Sequence, residues 1–177
     1  NTHIHLLESF TALYGIWPDR KLRLRTEELL EIMQHKIGVP MGALNQYFTA
    51  DWKVLPTADS FGHDVETAFL ILETMEVLGL EDAGKDAFAR KLVNHAIRKG
   101  TDSEGGLIDL GDAYGGKYRM EKAFWVQAEF LHALAMMSYR HGHEEPLFTD
   151  HLVHQWDYIN TYMIDHKYGG WYSVGGH

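Results

Sequence analysis

Residues 63–66 read His63-Asp64-Val65-Glu66, and two other stretches, His5-Leu6-Leu7-Glu8 and Val126-Gln127-Ala128-Glu129, hold the same place in a recurring unit. Each opens an apolar helical stretch, carries a glutamate at its fourth position, and is followed by a second helix and a glycine turn. The units start at 5, 63 and 126, a period of roughly 60 residues that marks a repeat architecture. In two of the three a histidine precedes the glutamate by three residues, so both polar side chains project from one helix face. A titratable face repeated inside a helical array calls for a ligand.

Working outward, Ile4, Leu7, Phe10 and Leu13 recur at helical spacing and predict a helix over 2–17, stopped by Pro18. Its partner is expected over 19–37, with Gly38 as a left-handed cap. A long aromatic-rich loop follows over 39–60, and loops of that length usually carry function. The second unit predicts helices over 62–78 and 82–99, the third over 121–140 and 144–165. Gly42, Gly106 and Gly170 occupy matching turns. The first helix of each unit is apolar on most sides and the second is amphipathic, which places the first inside and the second outside. The expected assembly is an all-α (α/α)6 barrel, a toroid of helical hairpins. This chain supplies about half of it in three repeats, at about 1–59, 60–120 and 121–177.

Composition narrows the function classes. The chain has 177 residues, 45% of them hydrophobic, no cysteine, and a net charge of −9. Lack of cysteine removes disulfides, thiolate catalysis and Cys-ligated metals. The acidic balance repels phosphate backbones, so nucleic acid is not the expected partner. Apolar runs such as 68–72 fall short of a membrane span, so no membrane partner is expected. The helical pattern is already under way at Asn1 and the turn at 169–172 points onward to another repeat, so the sequence reads as an internal segment of a longer protein. Half a toroid leaves two apolar flanks open, and the rest of the ring is expected from further chain or from an associating copy. A cytoplasmic location is expected.

Chemistry concentrates at the starts of the first helices. His63, one turn before Glu66, suits proton transfer because imidazole titrates near neutrality. The alternative for these acidic first turns is helix capping, which is the expectation for Asp64. Asn1 and His5 share a helix face in the same way. His3 is expected at the surface, as are His141, His143, His151 and His154 on the outer hairpin. The His-x-x-Glu order is the reverse of the di-iron carboxylate motif and lacks its additional glutamates, so no metal is expected. Trp52, Phe69, Phe124, Trp125 and Trp171 offer flat apolar faces of the kind on which sugars stack, with core packing as the alternative, above all for Phe69. Glu129 and Gln127 add hydrogen-bonding capacity beside Trp125.

The stretches Asn-Thr-His-Ile-His-Leu-Leu-Glu (1–8), Ser-Phe-Gly-His-Asp-Val-Glu (60–66), Phe-Trp-Val-Gln-Ala-Glu (124–129) and Gly-Gly-Trp-Tyr (169–172) resemble the successive motifs of the N-acylglucosamine 2-epimerase family. The Gly-His-Asp form is closest to its cellobiose 2-epimerase branch, which includes mannobiose 2-epimerases. The resemblance covers essentially the whole chain. It implies an (α/α)6 barrel that epimerises C2 of the reducing-end sugar of a β-1,4-linked disaccharide, without a cofactor, through ring opening, proton abstraction by histidine and a cis-enediolate. His63 matches one of two acid/base histidines. Glu66, Asn1 and His5 match residues that assist and hold substrate, and Trp125 matches a sugar-stacking tryptophan. Phe69 and Phe124 stand where the branch commonly has tryptophan. The family's second histidine, in a Trp-Lys-x-Pro-Tyr-His motif, and its enediolate-stabilising arginine are not in this sequence, so the segment alone is expected to be inactive. The alternatives are an aldose–ketose isomerase or an N-acylglucosamine 2-epimerase on the same barrel, and, from another class, a non-catalytic helical-repeat module that binds carbohydrate or protein.

Overall fold

The computed structural model describes residues 1–114 and 116–175. Three helical hairpins follow one another: α1 (Thr2–Ile16) with α2 (Arg20–Ile32), α3 (Phe61–Leu78) with α4 (Ala83–Gly100), and α5 (Phe124–His141) with α6 (Pro146–Tyr158). Helix α3 packs on α1, α4 and α5, whereas α2, α4 and α6 each lie chiefly against their own hairpin partner. The first helices therefore form one layer and the second helices an outer one. This is the arrangement of part of an (α/α)6 barrel.

Local chemistry sets the boundaries. Asp19 caps α2, its carboxylate accepting from the backbone N–H groups of Lys21 and Leu22 at 2.8 and 3.1 Å, and Asp82 does the same for α4. Ser60 caps α3 through the N–H of His63. At the other end of α3, Gly79 takes φ +62° while Leu80 N–H donates to Met75 O, closing the helix without a Cβ penalty. α3 is buried along nearly its whole length, including Phe61, Val65, Ala68, Leu72 and Met75, as a central helix must be. α1 buries only Ile4, Leu7 and Thr11 and leaves Leu6, Leu13 and Ile16 exposed, as is Trp17 just beyond its end.

Strands of two or three residues stitch the ends together: β1 (Gly38–Val39) with β2 (Ala43–Leu44), β3 (Tyr47–Phe48) with β4 (Val54–Leu55), β5 (Asp59–Ser60) with β6 (Leu110–Gly111), β6 with β7 (Lys117–Arg119), and β8 (Lys122–Ala123) with β9 (Val174–Gly175), all antiparallel. The same device closes each hairpin. Pairings Val39↔Ala43, Thr101↔Leu107 and Ile164↔Trp171 bracket Gly42, Gly106 and Gly170, whose φ values of +94°, +74° and +81° only glycine adopts without strain.

Several expectations need correction. Gly38 is not a left-handed cap: its φ is −64° and it enters β1, because α2 ends in a wide π-type turn over Met33–Ile37 that delivers an extended chain. The loop over 39–60 holds two hairpins. α5 begins at Phe124 instead of 121, since Lys122 is buried by its ion pair with Asp102 and keeps the chain extended in β8. α6 likewise ends in a π-type turn, at Met163 rather than 165. Among the described residues no helix is long and apolar enough to cross a membrane.

Candidate active site

His63 sits in the first turn of α3 and lines a cleft of about 530 Å³ together with Asn1, His3, Phe48 and Trp52. Its Nδ1 is buried and meets no hydrogen-bond partner. Removal of the ring from water penalises the imidazolium, and its pKa is lowered to about 4, so the imidazole is neutral at physiological pH. The Trp125 indole lies against it, ring centroids 5.2 Å apart, and also covers Gly62, where a Cβ would come within 2.6 Å of the indole. Glycine at 62 is what lets the indole approach the helix backbone.

The three glutamates that share a place in the repeat converge on one acidic locus. Glu66 is nearly buried, its carboxylate 3.8 Å from His5 Nδ1, and His5 Nδ1 is 3.0 Å from the Glu8 carboxylate. Burial raises the Glu66 pKa, with the His5 charge opposing and the Glu8 charge reinforcing. Burial also raises Glu129, helped by the negative charges of Glu66 and Glu8, to about 7. A carboxyl at that value is about half protonated at neutral pH and can donate as well as accept. α1, α3 and α5 thus each contribute one glutamate, because equivalent positions of parallel inner helices face the same hollow.

Trp52 is held with φ +65°, a conformation that costs a bulky residue roughly 1–3 kcal/mol. Its indole packs against Phe48 and His3, at 5.4 and 5.5 Å between ring centroids. His3, expected at the surface, is instead half-buried and part of the cleft wall. Phe124 is half exposed, and Trp171 is exposed on the turn after α6. Phe69 does not fit a sugar-stacking role: it is 6% exposed, belongs to the core and stacks on His132 at 4.1 Å. His141 also departs from expectation, its Nε2 lying 3.1 Å from Asp86 in the α4–α5 contact.

Asp64 stands in the first turn of α3, where an acidic side chain answers the helix dipole, and it is fully buried beside Asp59 and His95. Among the described residues these three are the grouping of His and carboxylate atoms close enough to share a cation, all within 4.8 Å of one another. Asp109, close enough to His63 for its charge to favour the imidazolium, and Arg119, which pairs with Asp109 at 2.9 Å, are further polar neighbours. None of Asp59, His95, Asp109 and Arg119 carried a sequence signal, since they meet only through strand pairing and helix packing. A second cleft of about 390 Å³, between the 101–106 turn and α6, contains none of the candidate residues.

Comparison with known proteins bears on this geometry. The profile of the N-acylglucosamine 2-epimerase (GlcNAc 2-epimerase) family matches residues 1–174. A cellobiose 2-epimerase from Bacteroides fragilis is 31% identical over 176 residues, covering 97% of this chain and 44% of the relative. A D-mannose isomerase from Thermobifida fusca is 26% identical, covering 97% of this chain and 46% of the relative. The solved structure of cellobiose 2-epimerase from Bacillus thermoamylovorans superimposes with a TM-score of 0.90 at 28% identity, over 98% of this chain and 44% of that one. The chain therefore spans less than half the length of the relatives it matches.

Proposed function

The chain belongs to the N-acylglucosamine 2-epimerase family, and from that premise we propose that the protein carrying it epimerises C2 of the reducing-end sugar of a β-1,4-linked disaccharide such as cellobiose or mannobiose. The observation that carries this reading is His63: a neutral imidazole that lines a cleft and is backed by a flat indole. In the open-chain sugar the C2 hydrogen is acidified by the C1 carbonyl. His63 accepts that proton, the C2–H electron pair moves into the C1–C2 bond, and the carbonyl oxygen gains the charge of an enediolate. Such charge needs preorganised donors. Glu129, with its pKa raised to about 7, supplies one in its protonated form. His5, Asn1 and Glu66 hold sugar hydroxyls, while Trp52, Phe124 and Trp125 form an apolar wall. Only a proton moves, so the reaction calls for no redox cofactor. Return of the proton to the opposite face needs a second acid, which the family resemblance assigns to a histidine motif outside this sequence.

A second reading, aldose–ketose isomerisation, has specific support in the 26% identity to a D-mannose isomerase. It uses the same enediolate and returns the proton to C1. Product analysis separates the two. Incubation with cellobiose, mannobiose and mannose is expected to yield the C2-epimeric disaccharide from the first two. A ketose as the main product would replace the first reading with the second, and no conversion of any of the three would remove both.

A further inference from the structure

Beneath His63, on the side away from the cleft, the next residue of α3 enters a closed polar pocket. Asp64 is 0% exposed, Asp59 on β5 5% and His95 on α4 6%, and Phe61 packs its ring on the His95 imidazole at 5.6 Å. His95 Nε2 lies 3.3 Å from Asp59 Oδ2. Three acceptor atoms then remain without a donor in hydrogen-bond geometry: Asp59 Oδ1 and both oxygens of Asp64. The Leu44 backbone N–H lies near enough to Asp64 to favour its charge, and the Asp59 carboxylate is near enough to share a proton with it. Orphaned carboxylate oxygens in hydrocarbon are costly, and two adjacent carboxylates cannot both stay ionised there.

We propose that Asp59, Asp64 and His95 form a buried proton-sharing chain that positions His63, with Asp64 protonated and donating to Asp59 Oδ1 while His95 Nε2–H donates to Asp59 Oδ2. One proton on Asp64 gives Asp59 Oδ1 its missing donor and halves the buried negative charge. The raised pKa of Asp64, caused first by burial and then by the Asp59 charge, agrees with this state. The chain ties three elements to one point: β5, which leads directly into α3 through the cap at Ser60; the first turn of α3; and the middle of α4. His63 is bonded to Asp64 along the chain and to Ser60 through its backbone N–H, so its imidazole inherits that anchorage. The charges of Asp59 and of Asp109, the latter paired with Arg119 just before β6, both act on the neighbouring His63 imidazole. Asp64 and Asp59 are positioning residues, and neither lines the cleft.

This inference rests on His63 being the base, and its test separates the two claims. In the full protein carrying this chain, the wild-type-minus-D64N infrared difference spectrum at pH 7 should hold the carbonyl stretch of a protonated carboxyl, the contribution of half-protonated Glu129 cancelling between the two. That variant's amide can donate to Asp59 and accept from Leu44, so its kcat should stay within about threefold of wild type. D64A loses the anchor and should lose kcat about 10²-fold with KM nearly unchanged, the scale expected for an ångström of misplacement. Because the folded state holds the proton more tightly than the unfolded chain, wild-type stability should fall as pH rises above the ordinary aspartate range, and D64N should not show that fall. Absence of the protonated-carboxyl band, one equivalent of tightly held divalent metal, or D64A with wild-type kcat would each overturn the proposal. If D64A does not fold, the band and the rescue by D64N decide. Retained turnover in H63A would instead defeat the functional reading, leaving the band to judge the proton-sharing chain by itself.

Discussion

Replacing Gly62 by alanine should cost far more activity than stability. The added Cβ would lie 2.6 Å from Trp125 Cη2, 2.8 Å from Cζ3 and 3.0 Å from Val126 Cγ2. Carbon atoms in good contact sit about 3.5–4.0 Å apart, so the rigid indole must retreat by about 1 Å. Overpacking of this kind costs about 1–3 kcal/mol. Alanine in a helix recovers about 1 kcal/mol relative to glycine, leaving a net loss of about 0–2 kcal/mol. For 177 residues unfolding alone that would lower Tm by at most about 8 °C, and by less in a larger cooperative unit of the full protein in which activity is assayed. The same ångström displaces the wall of the His63 ring, and misplacement on that scale costs about 10²-fold in turnover. G15A is the control: nothing lies within 4 Å of the position its Cβ would take in α1, so it should gain up to about 1 kcal/mol and keep its activity. Steady-state kinetics and thermal unfolding of both variants, with tryptophan fluorescence to report the indole, test this. G62A with turnover within threefold of wild type, or with losses in activity that only mirror its unfolded fraction, would refute the reasoning.

The pH profile of kcat/KM should rise as pH increases through about 4, where His63 loses its proton, and fall through about 7, where Glu129 does; E129Q should remove the alkaline fall and leave the acid limb. Because folding depresses the His63 pKa below its ordinary value of 6.5, the stability it contributes is complete above that value and is lost as pH falls towards 4, which urea unfolding across that range in wild type and H63A will show. K122A should lower unfolding free energy by about 2–4 kcal/mol in urea titrations, since it removes a buried ammonium that donates to the Asp102 carboxylate and to Gly105 O at 2.7 Å.

What the sequence makes legible is set by distance along the chain. The helices, their inner and outer roles and the three glycine turns are written in spacings of three to four residues and in single residues such as Gly42 and Pro18. The convergence of Glu8, Glu66 and Glu129 is legible too, because a repeat brings equivalent positions together. Asp59 and His95 were not legible: 36 positions separate them, and only the packing of α4 under β5 joins them. Nor was the buried state of Asp64, since an acid in a first turn reads as a surface cap unless the neighbouring element is known. Phe69 illustrates the converse. An aromatic one turn beyond Glu66 fits a sugar wall as well as a core, and the sequence carries no sign of the His132 ring stacked on it. Two-residue strands carry no period at all, so the hairpins of the 39–60 segment and the β8–β9 pair leave no trace in the pattern.

The central claim is that the His63 imidazole takes the C2 proton of a sugar in the cleft beside Trp52 and Trp125. The most direct measurement is solvent deuterium incorporation at C2 of cellobiose in heavy water, by wild type and by H63A of unchanged helix content. Wild type should place deuterium at C2 and nowhere else on the ring, and H63A should be slower by about 10²- to 10⁴-fold, the usual contribution of a positioned base. Deuterium entering C2 at the wild-type rate in H63A would contradict the account.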